Sequence, residues 1–296
     1  ISMLEFLRDV GKHFTVNQMT SKDSVRSRIE SEHGISYTEF SYMLLQANDF
    51  RHLYETHDVE LQAGGSDQWG NIVAGVELVR RRLGNAAHAL THPLMLRADG
   101  HKFGKSAAGE SVWLAAERTS PYQFRQFWIQ TDDRVIATYL RMLSLRPLDE
   151  IEQLVGEQLA APERRVAQRA LADELTSMVH GPAAAAAAGE AATVLFGGDP
   201  TTASGAALEI VAAEVPGVTL PADVQGVRVH ELLIEAGVAK SASEVNRLLG
   251  QGAVRAGTRV LDADGLLRTS DLLNGYFLLL RKGKRDFAAG TSSRSS

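Results

Sequence analysis

The segment from Asp58 to Val79 constrains the fold of this chain more than any other. Asp58-Val59-Glu60-Leu61-Gln62-Ala63 reads as a strand and Gly64-Gly65-Ser66-Asp67-Gln68-Trp69-Gly70-Asn71 as a tight polar turn. Ile72, Val73, Val76, Leu78 and Val79 then follow at helical spacing. Strand, turn and helix in that order form the unit of an α/β layer. In such layers ligands sit at the carboxyl ends of strands, glycines allow close backbone approach, and a helix N-terminus favours negative groups. Asp67 and Gln68 would then face the polar groups of a ligand, a ribose or an α-carboxylate. An ordinary surface turn between a strand and a helix fits the same residues.

The rest of the composition sets the frame for that unit. The 296 residues leave room for roughly two domains. At 44% hydrophobic and 23% charged, they match a globular protein rather than a disordered or fibrous one. With no cysteine there is no disulfide framework, no thiol nucleophile and no Cys-ligated zinc, and a reducing cytoplasm is the least demanding location. The nine-residue run Leu272 to Leu280 falls far short of the ~20 apolar residues a membrane helix needs, so no membrane association is expected. The start, Ile1-Ser2-Met3, lacks a secretion-signal pattern and suggests a fragment. Charge is uneven. From Gly226 onward eleven basic residues face seven acidic ones, a net of +4, against −9 for the preceding chain. A basic end on an acidic body points to a polyanion contact confined to that end.

Three patterns follow one another along the chain. Up to about Ala108, helical spacing alternates with short strand-like runs. Ser120-Pro121, an N-cap with proline at the first helical position, then opens a helix-rich stretch that runs through the six alanines Ala183 to Ala188. Gly197-Gly198-Asp199-Pro200, Pro216-Gly217 and Pro221 mark a turn-rich connector around the short apolar run Leu208 to Val211, which reads as a linker or a small packing arm. The final 70 residues read as a small α+β module. A helix stops near Gly237, Ser241 and Glu244 have capping-box spacing, and short strands with turns follow.

Three further groups could carry chemistry. Tyr42, Gln46 and Asp49 stand at i, i+4 and i+7, so a helix places hydroxyl, amide and carboxylate on one face while Met43, Leu44, Leu45 and Phe50 point elsewhere. Such a stripe suits a pocket for an amine or a phenol, and equally a solvated amphipathic face. Asp99-Gly100 marks a turn, after which Lys102-Phe103-Gly104-Lys105-Ser106 sets two flexible cations around a glycine, an arrangement suited to polyphosphate or simply to a solvated loop. Arg281-Lys282-Gly283-Lys284-Arg285 is a second basic cluster, either a phosphate contact or a charged tail. His88 and His92 lack the glutamate of a zinc-protease helix, no G-x-S-x-G elbow or complete Walker loop occurs, and no metal ligands are expected.

Taken together, Tyr42 to Phe50, Gly64 to Ile72 and Lys102 to Ser106 resemble the tyrosine-pocket helix, the ligand-binding turn and the K-M-S-K-S loop of the bacterial-type tyrosyl-tRNA synthetases. These are class I aminoacyl-tRNA synthetases. The resemblance extends through Ser120 to Trp128 and Val179-His180-Gly181, and Val227 to Phe287 is similar to the S-four RNA-binding module. It implies an α/β fold in which residues 1–117 form the C-terminal half of a Rossmann-like catalytic domain. Residues 118–198 would form an α-helical anticodon-recognition domain, 199–225 a linker, and 226–296 an α+β RNA-binding domain.

By the same resemblance, Tyr42 and Gln46 hold the amino group of L-tyrosine, and a buried Asp49 accepts from its phenol, leaving a carboxylate without a partner when phenylalanine enters. Gln62 and Gln68 orient the substrate, Gly65 and Asp67 lie near the adenylate ribose, and Lys102 and Lys105, helped by Ser106, stabilise the departing pyrophosphate. ATP is a substrate, with Mg2+ expected and no tightly bound cofactor, tRNA(Tyr) is the partner, and a cytoplasmic homodimer is implied. Arg247, Arg255, Lys282, Lys284 and Arg285 would contact RNA, although Ala242, Val245 and Asn246 stand where S-four modules commonly carry arginines. The H-I-G-H signature does not occur in the 296 residues, so this stretch alone is expected to be inactive in adenylate formation. A non-catalytic RNA-binding protein with a synthetase-like body is the competing reading, and a tryptophan-specific relative fits Asp49 less well.

Overall fold

Helix-capping serines and glycine-marked turns set most element boundaries in the computed structural model, which describes residues 1–101, 103, 112–283 and 286–292. The chain divides into two compact units, Ile1–Phe103 and Gly104–Ser296.

The first unit contains α1 (Met3–Asp9), α2 (Val16–Thr20), α3 (Asp23–Ile29), α4 (Tyr37–His57), β1 (Leu61–Gly65), α5 (Trp69–Leu83) and β2 (His88–His92). Ser36 opens α4 by accepting from the Glu39 amide at 3.1 Å, and Asp58, left-handed at φ 53°, closes it. β1 and β2 pair in parallel, with Leu61 opposite His88 and Gly65 opposite His92, so their carboxyl ends coincide. The expected strand at Asp58 to Ala63 lies slightly later, at Leu61–Gly65, and β2 was not anticipated from the sequence. Met43, Leu44 and Ala47 of α4 pack with Ala74 and Leu78 of α5. Gly75 permits the closest approach of the two helices, since a Cβ there would stand 2.8 Å from the Phe50 ring.

The second unit starts its helices where the serine–proline signal predicts. Ser120 accepts from Gln123 N at 3.1 Å and Pro121 is the first residue of α6 (Pro121–Ile129). α7 (Asp133–Leu143), α8 (Leu148–Ala160), α9 (Val166–His180) and the alanine-rich α10 (Pro182–Leu195) follow, then α11 (Gly205–Glu214), α12 (Val229–Glu235) and α13 (Ala242–Gly250). β3 (Val254–Ala256), β4 (Arg259–Val260), β5 (Phe277–Lys282) and β6 (Asp286–Thr291) form an antiparallel sheet in the order β4-β3-β5-β6.

One face of this sheet, through Leu278, Leu280 and Ala288, builds a core with α12 and α13. Phe277, Leu279 and Phe287 on the other face pack with Ala188 and Ala191 of α10 and with Leu208 and Val211 of α11. Of the two readings of this segment, a linker or a small packing arm, its apolar run follows the second: it is a core helix, capped by Ser204, whose hydroxyl accepts from Ala207 N at 3.2 Å. A bare connector would leave Ala207, Leu208 and Val211 in water, whereas the structure buries all three completely.

Candidate active site

The polar stripe of α4 lies where the helical spacing puts it. Met43, Leu44, Ala47 and Phe50 are buried, while Tyr42 is 56% exposed, Gln46 half-buried and Asp49 exposed. None of the three polar side chains has a hydrogen bond among the described residues, so hydroxyl, amide and carboxylate all retain their capacity for a ligand. The expectation of a buried Asp49 is corrected. The packed face of α4 is the one that carries Met43, Leu44 and Ala47, and Asp49 lies off it, exposed.

The turn after β1 is shaped by close approach. A Cβ on Gly65 would stand 2.9 Å from both Asp67 Oδ1 and Leu94 Cδ2, and one on Gly64 would stand 3.2 Å from Ile72 Cδ1 and 3.3 Å from Gln68 Cβ. Gly65 has φ −67°, open to any residue, so only space demands glycine there. Asp67 and Gln68 sit in the single 3-10 turn Ser66–Gln68, immediately before α5. Gln68 accepts weakly from Asn71 Nδ2 at 3.4 Å. On β1, Gln62 Oε1 is buried without a hydrogen-bond partner. A buried amide oxygen in that condition costs free energy until a donor reaches it, which suits a site that awaits a ligand.

The two groups belong to one region. Lys22 Nζ donates to Met43 Sδ at 3.1 Å and also to the Gly70 carbonyl, and Phe50 meets Gly75 further along the same two helices. Tyr42, beside Met43, therefore lies toward the end of α4 that faces the β1–α5 turn. Lys22 was not singled out from the sequence, where nothing distinguishes it from a solvated lysine.

Lys102, Lys105 and Ser106 lie outside the described residues. The approach to them is a tight turn. Gly100, at φ 81°, donates to the Arg97 carbonyl at 2.9 Å, and Phe103 N donates to Met95 O at 3.0 Å. Asp99 accepts from the His101 amide, which holds its carboxyl below the usual carboxylate range.

At the basic end, Arg247 is exposed on α13 and donates to Gln251 at 3.3 Å, while Arg255 donates to the Thr258 carbonyl at 3.0 Å. Lys282 is engaged within the fold, by the Val238 carbonyl at 2.6 Å and Asp286 at 3.3 Å, so it is less available to RNA than its place in a basic run suggests. Lys284 and Arg285 lie outside the described residues. Arg281 stands directly across from Arg255 in the sheet, a pairing of like charges.

Known proteins match this arrangement along nearly the whole chain. Residues 1–197 match the family model described as tRNA synthetases class I (W and Y), which defines the class. Residues 207–289 match the Tyrosine--tRNA ligase SYY-like C-terminal domain. The tyrosine-tRNA ligase of Anaeromyxobacter dehalogenans strain 2CP-1 is 49% identical over 291 residues, 97% of this chain and 69% of that protein. That of Roseiflexus castenholzii is 48% identical over 294 residues, 97% of this chain and 68% of that protein. A C-terminally truncated mitochondrial tyrosyl-tRNA synthetase from Aspergillus nidulans superposes with a TM-score of 0.54 at 32% identity, covering 66% of this chain and 55% of that one. The chain belongs to the tyrosyl-tRNA synthetase family, whose members are ATP-dependent aminoacyl-tRNA ligases.

Proposed function

We propose that this chain takes part in tyrosine activation and tRNA charging through the residues assembled around α4 and the β1–α5 turn. The observation that carries this reading is the free polar stripe of Tyr42, Gln46 and Asp49 on α4, together with Gln62 Oε1 on β1, which is buried and unpartnered. Tyr42 and Gln46 hold the ammonium of L-tyrosine and Asp49 accepts from its phenol. Gln62 and Gln68 orient the substrate, while Gly65 and Asp67 lie against the ribose. The tyrosine carboxylate attacks the α-phosphorus of ATP. The bond to the bridging oxygen breaks, and pyrophosphate leaves with its charge stabilised by Lys102 and Lys105, Ser106 helping to form that loop. A terminal ribose hydroxyl of tRNA(Tyr) then attacks the acyl carbon and displaces AMP. Mg2+ enters with ATP, as part of the substrate.

In the same reading, the helices of residues 118–198 face the anticodon side of the tRNA. Arg247 and Arg255 of the module at 226–296 contact phosphates, as do Lys284 and Arg285. A homodimer is the working assembly, in the cytoplasm; Met3, Leu4 and Val16, which are 69%, 80% and 62% exposed, are apolar surface that a second copy would cover. Among the described residues no helix is long and apolar enough to cross a membrane.

The test is tyrosine-dependent exchange between ATP and pyrophosphate in the gene product carrying these residues. Lys102→Ala and Lys105→Ala should each lower the rate by about 10²-fold, the usual cost of one transition-state donor. Unchanged exchange in both variants would remove the lysine loop from the mechanism.

A further inference from the structure

Lys22 is a half-buried cation among apolar and backbone neighbours, and it belongs to none of the groups assigned above. It caps the N-terminus of α3 without a side-chain capping bond, and its side chain runs instead toward α4 and α5. Its Nζ donates to Met43 Sδ at 3.1 Å and to the carbonyl of Gly70, in the first turn of α5. Its stem crosses Gly70 so closely that a Cβ there would stand 3.3 Å from Lys22 Cδ. No carboxylate among the described side chains pairs with it, and burial alone lowers its pKa. A lysine ordered in this way costs side-chain entropy and desolvation, and a surface ion pair does not offset them. What the arrangement provides is a tie between three elements. Met43 is the neighbour of Tyr42, and Gly70 follows the turn that carries Asp67 and Gln68.

We propose that Lys22 is a positioning residue for tyrosine activation. By joining α3 to Met43 and Gly70, it sets the separation between the amino-group contacts on α4 and the ligand-facing turn before α5. The inference rests on the functional reading above and assigns Lys22 no contact with substrate. A binding constellation loses effect steeply when its two halves shift by a fraction of an ångström to an ångström, so the tie acts through KM and rate rather than through the chemistry itself.

The experiment compares Lys22→Met, which keeps an unbranched stem and drops the ammonium, with Lys22→Arg and Gly70→Ala, all in the gene product that carries this chain. Exchange of pyrophosphate into ATP, which needs no tRNA, is measured over a range of tyrosine concentrations, together with tRNA charging and thermal melting. Lys22→Met should raise KM for tyrosine about tenfold with a smaller fall in kcat and a melting temperature close to the parent's. Lys22→Arg, which can still donate to the Gly70 carbonyl, should recover part of that loss. Gly70→Ala, which crowds the stem without touching the charge, should shift KM in the same direction and keeps the idea testable if Lys22→Met does not fold. Exchange unaffected while tRNA charging falls would mean that Lys22 serves RNA instead, and would overturn the proposal. So would a drop in melting temperature with KM unchanged. Absence of tyrosine-dependent exchange in the parent protein is a separate result, which removes the functional reading and this inference with it.

Discussion

Gly65 shows how little tolerance the ligand-facing turn has at the level of single atoms. Its backbone angles suit any residue, yet a methyl group would meet Asp67 Oδ1 and Leu94 Cδ2 at 2.9 Å. Gly65→Ala should therefore cost on the order of 1–3 kcal/mol if the packing holds, or push Asp67 aside if it yields. Either way exchange should fall well below the parent rate, and a Gly65→Ala protein with parental KM and kcat would show that Asp67 has no part in the site. Asp132, the cap of α7, gives a pH signature. Its hydrogen bonds from the Arg134 side chain and amide hold its pKa at about 2. A depressed carboxylate pKa stabilises the fold fully above the unfolded value of about 3.9 and ceases to do so as pH falls through about 2. Asp132→Asn should flatten the acid limb of the stability curve in that window, read by circular dichroism.

At this scale the sequence was legible where spacing alone decides orientation. Tyr42, Gln46 and Asp49 share a helix face because 3.6 residues make a turn, and the structure places them so. Exposure was not legible, because it depends on which neighbours arrive, and Asp49 lies open rather than buried. Lys22 was invisible for the same reason. Its partners, Met43 and Gly70, stand 21 and 48 residues away.

Among the elements, α11 separates local signals from tertiary ones. Its sequence is a ten-residue run between glycine and proline turns, which in isolation suggests a connector. In the fold, Ala207, Leu208 and Val211 are fully buried against Phe277, Leu279 and Phe287 of the terminal sheet, and that packing stabilises a helix too short to persist alone. Leu208→Ala should cost about 2–5 kcal/mol and lower the melting temperature of the second unit. A melting curve unchanged by the substitution would return the segment to a linker. β6 was missed for a related reason. Its Asp-Phe-Ala-Ala-Gly-Thr sequence has almost no β-branched residues, and its place is set by pairing with β5 and by Gly290, where a Cβ would stand 2.6 Å from the Val218 carbonyl. By contrast, the Ser120-Pro121 start of α6 and the Ser241 cap of α13 depend on residues within one turn and were readable directly.

For the molecule as a whole, charge and architecture divide the labour. The acidic body carries the polar stripe, the glycine turn and the lysine loop, and the positive charge collects after Gly226, in the module whose exposed Arg247 faces solvent. The proposed activation site at one end of the chain and the proposed phosphate-contacting residues at the other fit a reaction in two stages, first on a small molecule and then on an RNA. The central claim concerns the first stage, the proposed selection of tyrosine by the residues on α4 and the β1–α5 turn. The most direct measurement is pyrophosphate exchange by the gene product carrying these residues, with tyrosine, phenylalanine and tryptophan supplied separately. The account predicts exchange with tyrosine and background rates with the other two. Equal exchange with phenylalanine or tryptophan, or none with tyrosine, would contradict it.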